Sequence, residues 1–296
     1  MKNKSWIPTY IAVGIVWGCS FIFIKLGLEF LTPFGVAFGR CALGAATLLV
    51  VAKVRGFELP KDRTIRFHLW VVALLLNVIP GILFALAETE VTSILAGIIN
   101  AVTPLMTLIA IMLVFRSEKV TKAQLLGLLL GFLGVLTLLG AWQGLGDNPI
   151  SAVLALLFSV ACYGLSFPYS RKFVLPKKIQ AEALAAGQLT MGALTLLPLY
   201  LVDGIAKDYY RPGPVLAMLT LGILGSGFAY IWNFKIMEAA GSAIASTVTY
   251  VTPVVAVIVG IIFLGEGITW YEPVGGLIVL LGAAIGQQRI KLPSRS

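Results

Sequence analysis

Charged residues are scarce in this sequence. Asp, Glu, Lys and Arg together make up 12% of its 296 residues, whereas hydrophobic residues make up 59%. An ordinary soluble domain has about 25% charged residues. This scarcity excludes a chain that exposes most of its surface to water, and it indicates a protein that is solvated mainly by lipid.

The chemical groups that enzymes use are also few. The three cysteines, Cys19, Cys41 and Cys162, fall within apolar segments, where we expect no disulfide, and the single histidine, His68, lies in a loop. The sequence contains no HExxH motif and no acid pair at the middle of an apolar segment. We therefore expect no catalytic site, no metal ion and no cofactor, and we keep an intramembrane enzyme as an alternative of another class.

What the sequence does contain is a series of long apolar stretches. A helix of about 20 apolar residues is long enough to cross a bilayer. Ten such stretches follow one another and predict an all-α membrane protein with ten transmembrane helices: Ile7–Gly27, Phe34–Val54, Leu69–Ala87, Val91–Phe115, Ala123–Gly140, Ser151–Ser170, Ala181–Val202, Val215–Ile236, Ser242–Leu264 and Tyr271–Gln287.

The basic residues predict how these helices are oriented. The net charge is +9, but its distribution argues against a nucleic-acid partner. If the N-terminus is cytoplasmic, eighteen of the 22 basic residues fall on the cytoplasmic side. Only Lys207 and Arg211 fall on the other side, and Lys25 and Arg40 lie within spans. This bias is typical of cytoplasmic loops and predicts that both termini are cytoplasmic.

The two halves of the chain resemble each other. "NAVTPLMTLIAIMLVFRSEKVT" from Asn100 is matched by "TYVTPVVAVIVGIIFLGEGIT" from Thr249, and "WGCSFIFIK" from Trp17 by "YGLSFPYSR" from Tyr163. The offset stays between 146 and 149 residues. We therefore predict two five-helix repeats, residues 1–145 and 146–296. Because five is odd, the second repeat must be inverted in the membrane.

An inverted repeat has a mechanical use. Two halves related by a pseudo-two-fold axis in the membrane plane can open a central cavity to either side at similar energy, which is alternating access. A channel, or a scaffold merely enlarged by duplication, remains the competing interpretation.

Polar and aromatic residues at helical spacing predict the wall of this cavity in helices 1–4 and 6–9, because polar groups that face lipid are costly. The alternative for each Ser and Thr is a bond to its own helix backbone. The candidate substrate-binding residues are Trp17, Ser20, Arg40, Asn77, Asn100, Thr103, Tyr163, Ser166, Gln188, Tyr230, Asn233, Thr249 and Tyr250.

Prolines and glycines mark two further features. Pro104 and Pro253 occupy matching positions in helices 4 and 9 and predict kinks or gates. The fifth and tenth helices are almost purely apolar, so we expect them to pack outside the cavity. Their small-residue pairs, Gly127 with Gly131 and Gly282 with Gly286, allow close helix packing.

Arg40 is the most informative charge because it lies about two turns inside its span, where its repeat partner is the neutral Gln188. A buried guanidinium needs an anion. Two partners are open: an acid group of the substrate, or an internal acid among Glu29, Glu88 and Glu90. No acid lies at the middle of any span, so the usual marker of proton coupling is missing.

The chain resembles the EamA-type ten-helix permeases of the drug/metabolite transporter superfamily. The likeness is carried by "WGCSFIFIK", by "TPFGVAFGR" leading to Arg40, and by residues 242–286, with their central proline, "LGE" turn at Glu266 and Gly-rich last helix. The first repeat has "RSEKVT", with Glu118, in place of that turn. The resemblance implies export of small solutes, most often amino acids or related metabolites.

The same resemblance implies a multi-pass protein of the cytoplasmic (plasma or inner) membrane. Its expected partners are the lipid bilayer and a small-molecule substrate, and it is expected to be a monomer or a homodimer. A multidrug exporter of cationic compounds is the alternative within the transporter class.

Overall fold

The computed structural model describes residues 6–115, 121–138, 140, 142, 149–204, 211–267 and 269–286. The predictions for Glu118, for the repeat boundary between residues 145 and 146 and for both chain ends concern residues outside these ranges. In the described part, all regular structure is helical and forms ten segments. They are α1 Ile7–Gly27, α2 Pro33–Arg55, α3 Arg63–Ala87, α4 Ser93–Phe115, α5 Lys122–Leu138, α6 Ile150–Lys177, α7 Ala181–Asp203, α8 Pro212–Ala240, α9 Ser242–Leu264 and α10 Tyr271–Gly286.

Eight of these segments are long and apolar enough to cross a membrane, and α5 and α10 contain shorter apolar helices. The long apolar runs in the sequence therefore predicted where the helices lie. The bounds of α1 and α9 are the predicted ones. The predicted bounds of α3, α6 and α8 are wrong, because these helices run several residues further. The turns added to α3 and α6 are rich in basic residues, and such turns lie beyond the apolar stretch from which a span is recognised.

Local sequence fixes three of the helix starts at the ends of the bundle. Thr32, Asp62 and Thr92 precede α2, α3 and α4, and each side chain accepts a hydrogen bond from a backbone N–H three residues later. These caps satisfy donors that have no partner inside the helix. Gly56 ends α2 with φ +72°, a left-handed conformation that glycine adopts without a steric penalty.

Several spans are irregular near their middles. Leu74–Val78 in α3 and Leu221–Phe228 in α8 are π-helical, and the α-helix of α9 is replaced by a 3₁₀ turn over Thr247–Tyr250. The hydrogen-bond ladder of α4 is broken at residues 101–102. Such interruptions often mark functional positions in helices.

Close glycine contacts hold α1 against α9 and α6 against α4. A Cβ atom placed on Gly18 would lie 2.5 Å from Cβ of Val255, and one placed on Gly164 would lie 2.5 Å from Cβ of Met106. Gly18 precedes Gly164 by 146 residues, and Met106 precedes Val255 by 149. The two contacts therefore join residues that the sequence repeat pairs.

The short helices α5 and α10 pack against each other. A Cβ atom on Gly282 would lie 2.6 Å from the carbonyl oxygen of Gly127 and 3.1 Å from Cα of Gly131. On the other faces of these helices, Leu129 and Leu277 are exposed. The contacts of Gly286 lie outside the described part of the structure.

We call the end of the bundle where α1 begins the near end, and the opposite end the far end. At the near end, where α1 begins, the Tyr10 hydroxyl donates to the carbonyl oxygen of Thr247 at 2.6 Å, and Nδ1 of His68 lies 2.7 Å from the Tyr169 hydroxyl. At the far end, the Thr32 hydroxyl donates to the carbonyl oxygen of Asp203 at 2.5 Å. Contacts between helices thus close the bundle at both ends.

Candidate functional site

A small internal chamber lies between the two closed ends. Its volume is about 40 Å³, which is room for one or a few water molecules. Side chains from α1, α2, α3, α4, α6, α8 and α9 line it: Trp17, Ser20, Phe21, Ile24, Arg40, Leu76, Phe84, Asn100, Tyr163, Phe167, Tyr230 and Thr249. In this conformation the chamber is nearly collapsed.

Arg40 is the charged residue of the chamber wall. It is 5% exposed, and its Nε donates to the hydroxyl of Ser226 in the π-helical part of α8 at 3.4 Å. Within the described residues the ion pairs are Lys61–Glu58 and Lys235–Glu182, both away from the chamber, so Arg40 has no carboxylate within 4.0 Å there. Its guanidinium therefore retains donors for an anionic ligand.

Aromatic rings form most of the remaining wall. The rings of Trp17 and Tyr230 are 5.8 Å apart, and those of Phe84 and Tyr163 are stacked at 5.7 Å. The indole Nε1 of Trp17 donates to the carbonyl oxygen of Gly225 at 3.0 Å, in the π-helical segment where that carbonyl is accessible. These rings are fixed by mutual packing and present flat apolar faces to a solute.

The broken middles of α4 and α9 meet at one side of the chamber. Nδ2 of Asn100 donates to the hydroxyl of Thr252 at 3.1 Å, and the hydroxyl of Thr103 donates to Oδ1 of Asn100 at 3.4 Å. Pro104 and Pro253 are each the second residue of a new helical segment that begins after a break. Both prolines therefore occupy helix starts, where the missing N–H is not needed.

A buried amide pair lies beside the chamber. Nε2 of Gln188 donates to Oδ1 of Asn77 at 2.5 Å, and both side chains are fully buried. Gln188 follows Arg40 by 148 residues, and Ser226 follows Asn77 by 149. The contact of α7 with the π-helical part of α3 thus repeats the contact of Arg40 with Ser226.

The structure brings seven of the thirteen predicted binding residues to the chamber: Trp17, Ser20, Arg40, Asn100, Tyr163, Tyr230 and Thr249. The other six lie outside its wall. Asn77 and Gln188 bind each other, Thr103 binds Asn100, and the hydroxyl of Ser166 donates to its own helix at Tyr163. Asn233 is buried in α8.

Tyr250 contributes instead to a second cavity of about 50 Å³, which Pro104, Gly127 and Gly282 also line. Five residues of the chamber wall are absent from the thirteen predicted binding residues: Phe21, Ile24, Leu76, Phe84 and Phe167. They are apolar and carry no signal that separates them from core residues.

The far end holds two charged residues in unusual positions. Glu266, in the turn after α9, accepts hydrogen bonds from the N–H and hydroxyl of Ser93 and from the N–H of Ile94 at 3.0 to 3.1 Å. Nζ of Lys25 donates to the carbonyl oxygens of Glu88 and Val91 at 2.6 and 2.9 Å. Both residues join different helices at this end of the bundle.

Among the described residues, no three His, Cys, Asp or Glu side chains are placed to hold a metal ion. A helical membrane bundle that surrounds a polar chamber with one buried cation is the architecture of a solute transporter. The chain belongs to the EamA-like transporter family, whose sequence profile matches it twice, over residues 4–140 and 150–285. The resemblance seen in the sequence is thereby confirmed.

Similar proteins agree with this class. The chain is 26% identical to an uncharacterized transporter of Archaeoglobus fulgidus over 95% of this chain and 98% of the relative. It is 28% identical to the uncharacterized inner membrane transporter YedA of Escherichia coli, over 92% and 88% of the two chains. Protein PecM of Dickeya dadantii is 26% identical over 95% and 91%.

A crystal structure that is 18% identical covers 98% of this chain, and this chain covers all of it, with a TM-score of 0.73. At that identity the match supports the fold alone. The protein is a multi-pass transporter of the cytoplasmic membrane, with the bilayer and a small solute as its partners.

Proposed function

We propose that this protein exports small solutes that carry a carboxylate, amino acids or related metabolites, by alternating access through the Arg40 chamber. The observation that carries this proposal is the burial of Arg40 in the chamber wall without an ion-pair partner among the described residues. A buried guanidinium is costly unless an anion accompanies it, and its planar donors match a carboxylate in two-point geometry.

The internal acids that competed for this role are poorly placed. Glu29 and Glu90 are exposed at the far end, and the carboxyl oxygens of Glu88 form no hydrogen bond with Arg40. Arg40 instead binds a neutral hydroxyl. A substrate carboxylate is therefore the partner that the site favours.

Two inverted repeats supply the alternating movement in this proposal, residues 1–145 and 146–296, with ten spans and cytoplasmic termini. The double match of the family profile supports the repeats. So do the equivalent contacts of Gly18 with Val255 and of Gly164 with Met106. Among the residues that the structure describes, the near end carries most of the basic side chains, as a cytoplasmic surface does.

The size of the chamber indicates that movement is required. Sites for small molecules have volumes of about 300 to 1,000 Å³, whereas this chamber has about 40 Å³. A solute enters only if helices separate. The breaks before Pro104 and Pro253 provide positions where α4 and α9 can bend, so these prolines act as hinges of the gates.

The test is a solute screen by counterflow in proteoliposomes. Vesicles are loaded with single unlabelled amino acids or organic acids, and entry of the labelled solute is measured for wild type and Arg40→Gln. We expect saturable counterflow of carboxylate solutes by wild type that is strongly reduced in the variant. Flux without saturation or counterflow would identify a channel instead.

A second candidate function is export of aromatic cations, which the rings of Trp17, Tyr163 and Tyr230 favour. The charge of Arg40 opposes it, because two cations in one small chamber repel each other. The same screen with quaternary ammonium dyes separates the two. Cation export should increase in Arg40→Gln, whereas carboxylate export should decrease. A monomer and a homodimer are both compatible with this mechanism, which involves neither a catalytic step nor a cofactor.

A further inference from the structure

A buried carboxyl group at the far end has no part in the proposed solute site. Glu88 immediately follows α3 and is 0% exposed. Within the described residues neither of its carboxyl oxygens has a hydrogen-bond partner. A carboxylate that is buried without hydrogen bonds is one of the most costly groups in a protein, whereas a protonated carboxyl costs much less. The environment therefore favours the neutral acid.

The nearest cation does not neutralise this carboxyl directly. Nζ of Lys25 is hydrogen-bonded to the backbone carbonyl of Glu88 and to that of Val91, at 2.6 and 2.9 Å. Its side chain forms no ion pair with Glu88 within 4.0 Å among the described contacts. Lys25 thus fixes the turn that holds Glu88, but it leaves the carboxyl oxygens without a donor.

The charged groups that face Glu88 come from three other elements. Lys25 of α1 and Arg40 of α2 favour its ionised form, whereas Glu266 in the turn after α9 disfavours it. Burial is the largest of these influences and raises the pKa of the Glu88 carboxyl well above its ordinary value. Glu90, two residues away, is exposed to solvent.

Glu88 is also placed to sense whether the far end is open. Its backbone N–H donates to the carbonyl oxygen of Phe84 at 2.9 Å, so it lies one helical turn beyond a residue of the chamber wall. On its other side are the contacts that close the far end, those of Lys25 and of Glu266 with Ser93. If these contacts separate, water reaches the carboxyl.

We infer that Glu88 is a proton-binding site that is occupied while the far end is closed and that exchanges its proton with solvent when this end opens. The carboxylic acid then loses its proton to water, and the resulting carboxylate is stabilised by water and by Lys25. Closing the bundle returns a proton to it. The link between this proton and solute movement rests on the proposed transport function, whereas proton binding itself does not.

Proton binding is tested by infrared titration of the full chain in lipid nanodiscs. At about pH 7, well above the ordinary glutamate pKa of about 4.3, we expect wild type to retain a protonated-carboxyl band. This band should be lost in Glu88→Gln, shifted in Glu88→Asp and kept in the control Glu90→Gln. Glu88→Gln replaces a neutral acid with a neutral amide of the same shape, and Glu88→Asp retains a titrating group if that amide disturbs folding.

Two infrared results would overturn the assignment. One is a protonated band that is absent from wild type at that pH, with a carboxylate band that disappears in Glu88→Gln. This would show that Glu88 is ionised and paired with Lys25. The other is a protonated band that none of the Glu88 variants changes.

The link to transport is tested in weakly buffered vesicles with a mixture of amino acids as the probe. Solute flux should change the internal pH in wild type and Glu90→Gln but not in Glu88→Gln. Flux with no pH change in wild type would refute the coupling and leave the transport function standing. Absence of flux for every probe would refute the transport function, while the infrared titration still decides whether Glu88 binds a proton.

Discussion

The carboxylate of Glu266 lies at the N-terminus of α4, where its two oxygens accept hydrogen bonds from the backbone N–H groups of Ser93 and Ile94 at 3.0 and 3.1 Å. The first N–H groups of a helix have no partner within it, and the helix dipole favours a negative charge there. A turn from the second half of the chain thereby caps a helix of the first half. This contact is one of those that close the far end.

Removing this cap should weaken the closed form. We expect Glu266→Ala to lower stability by about 1 to 2 kcal/mol, because two backbone donors lose their acceptor and the helix loses a favourable charge. Glu266→Gln should have a smaller effect because it keeps one oxygen. The measurement is the thermal unfolding midpoint of the purified protein, with the exposed Glu90→Ala as the control. Equal midpoints for all three variants would show that the contact contributes nothing.

Replacement of Arg40 should separate binding from folding. Arg40→Gln introduces the residue that the second repeat has at the matching position, so the fold should be preserved. Loss of a charge-assisted hydrogen bond of about 1.5 to 3 kcal/mol corresponds to roughly a 10- to 100-fold weaker apparent affinity for a carboxylate solute.

The affinity is measured by counterflow, with Arg55→Gln at the exposed end of α2 as the control. Unchanged affinity in Arg40→Gln would remove the anchor role. A matching loss in Arg55→Gln would assign the effect to overall charge rather than to the chamber.

The helices were predictable because their signal is local. A run of apolar residues long enough to cross a bilayer can be read directly, and α1 and α9 have the predicted bounds. The interruptions of the spans were partly predictable, because Pro104 and Pro253 cannot continue the preceding backbone ladder. The π-helical segment of α3 is followed by Pro80, whereas that of α8 contains no proline and had no such signal in the sequence.

The chamber was predicted only in part because polarity alone does not determine its wall. Gln188 and Asn77 are as polar as the wall residue Asn100, but they hydrogen-bond to each other beside the chamber. Leu76 and Phe167 line it although they are apolar. The same limit applies to Glu88. The sequence shows an acid beyond the end of a span, and only the fold shows that it is buried.

Chemical labelling should distinguish the chamber from the outer helices. Cysteines introduced at Asn100 and Thr249 should react with a membrane-impermeant maleimide, and saturating solute should reduce the rate. Cysteines at Leu129 in α5 and Ile278 in α10 should not react, because those helices lie at the periphery and face lipid. Cys19, Cys41 and Cys162 are first replaced so that only the introduced thiol is read. Equal labelling at all four positions would contradict the assignment of the chamber wall.

The two equivalent glycine contacts give a test of how tightly the repeats pack. Gly18→Ala and Gly164→Ala each place a methyl group 2.5 Å from a neighbouring Cβ atom, on Val255 and Met106 respectively. Real atoms cannot approach so closely, so α1 must move from α9, or α6 from α4. We expect each variant to lose about 1 to 3 kcal/mol of stability, as overpacked cores do. Because the two contacts are equivalent, the two losses should be similar.

Gly213→Ala is the matched control, since its Cβ would meet no atom within 4 Å, and it should be neutral or slightly stabilising. Thermal unfolding midpoints of the three variants in one detergent decide the question. A loss in only one of the two tight variants would show that the halves do not share the same packing.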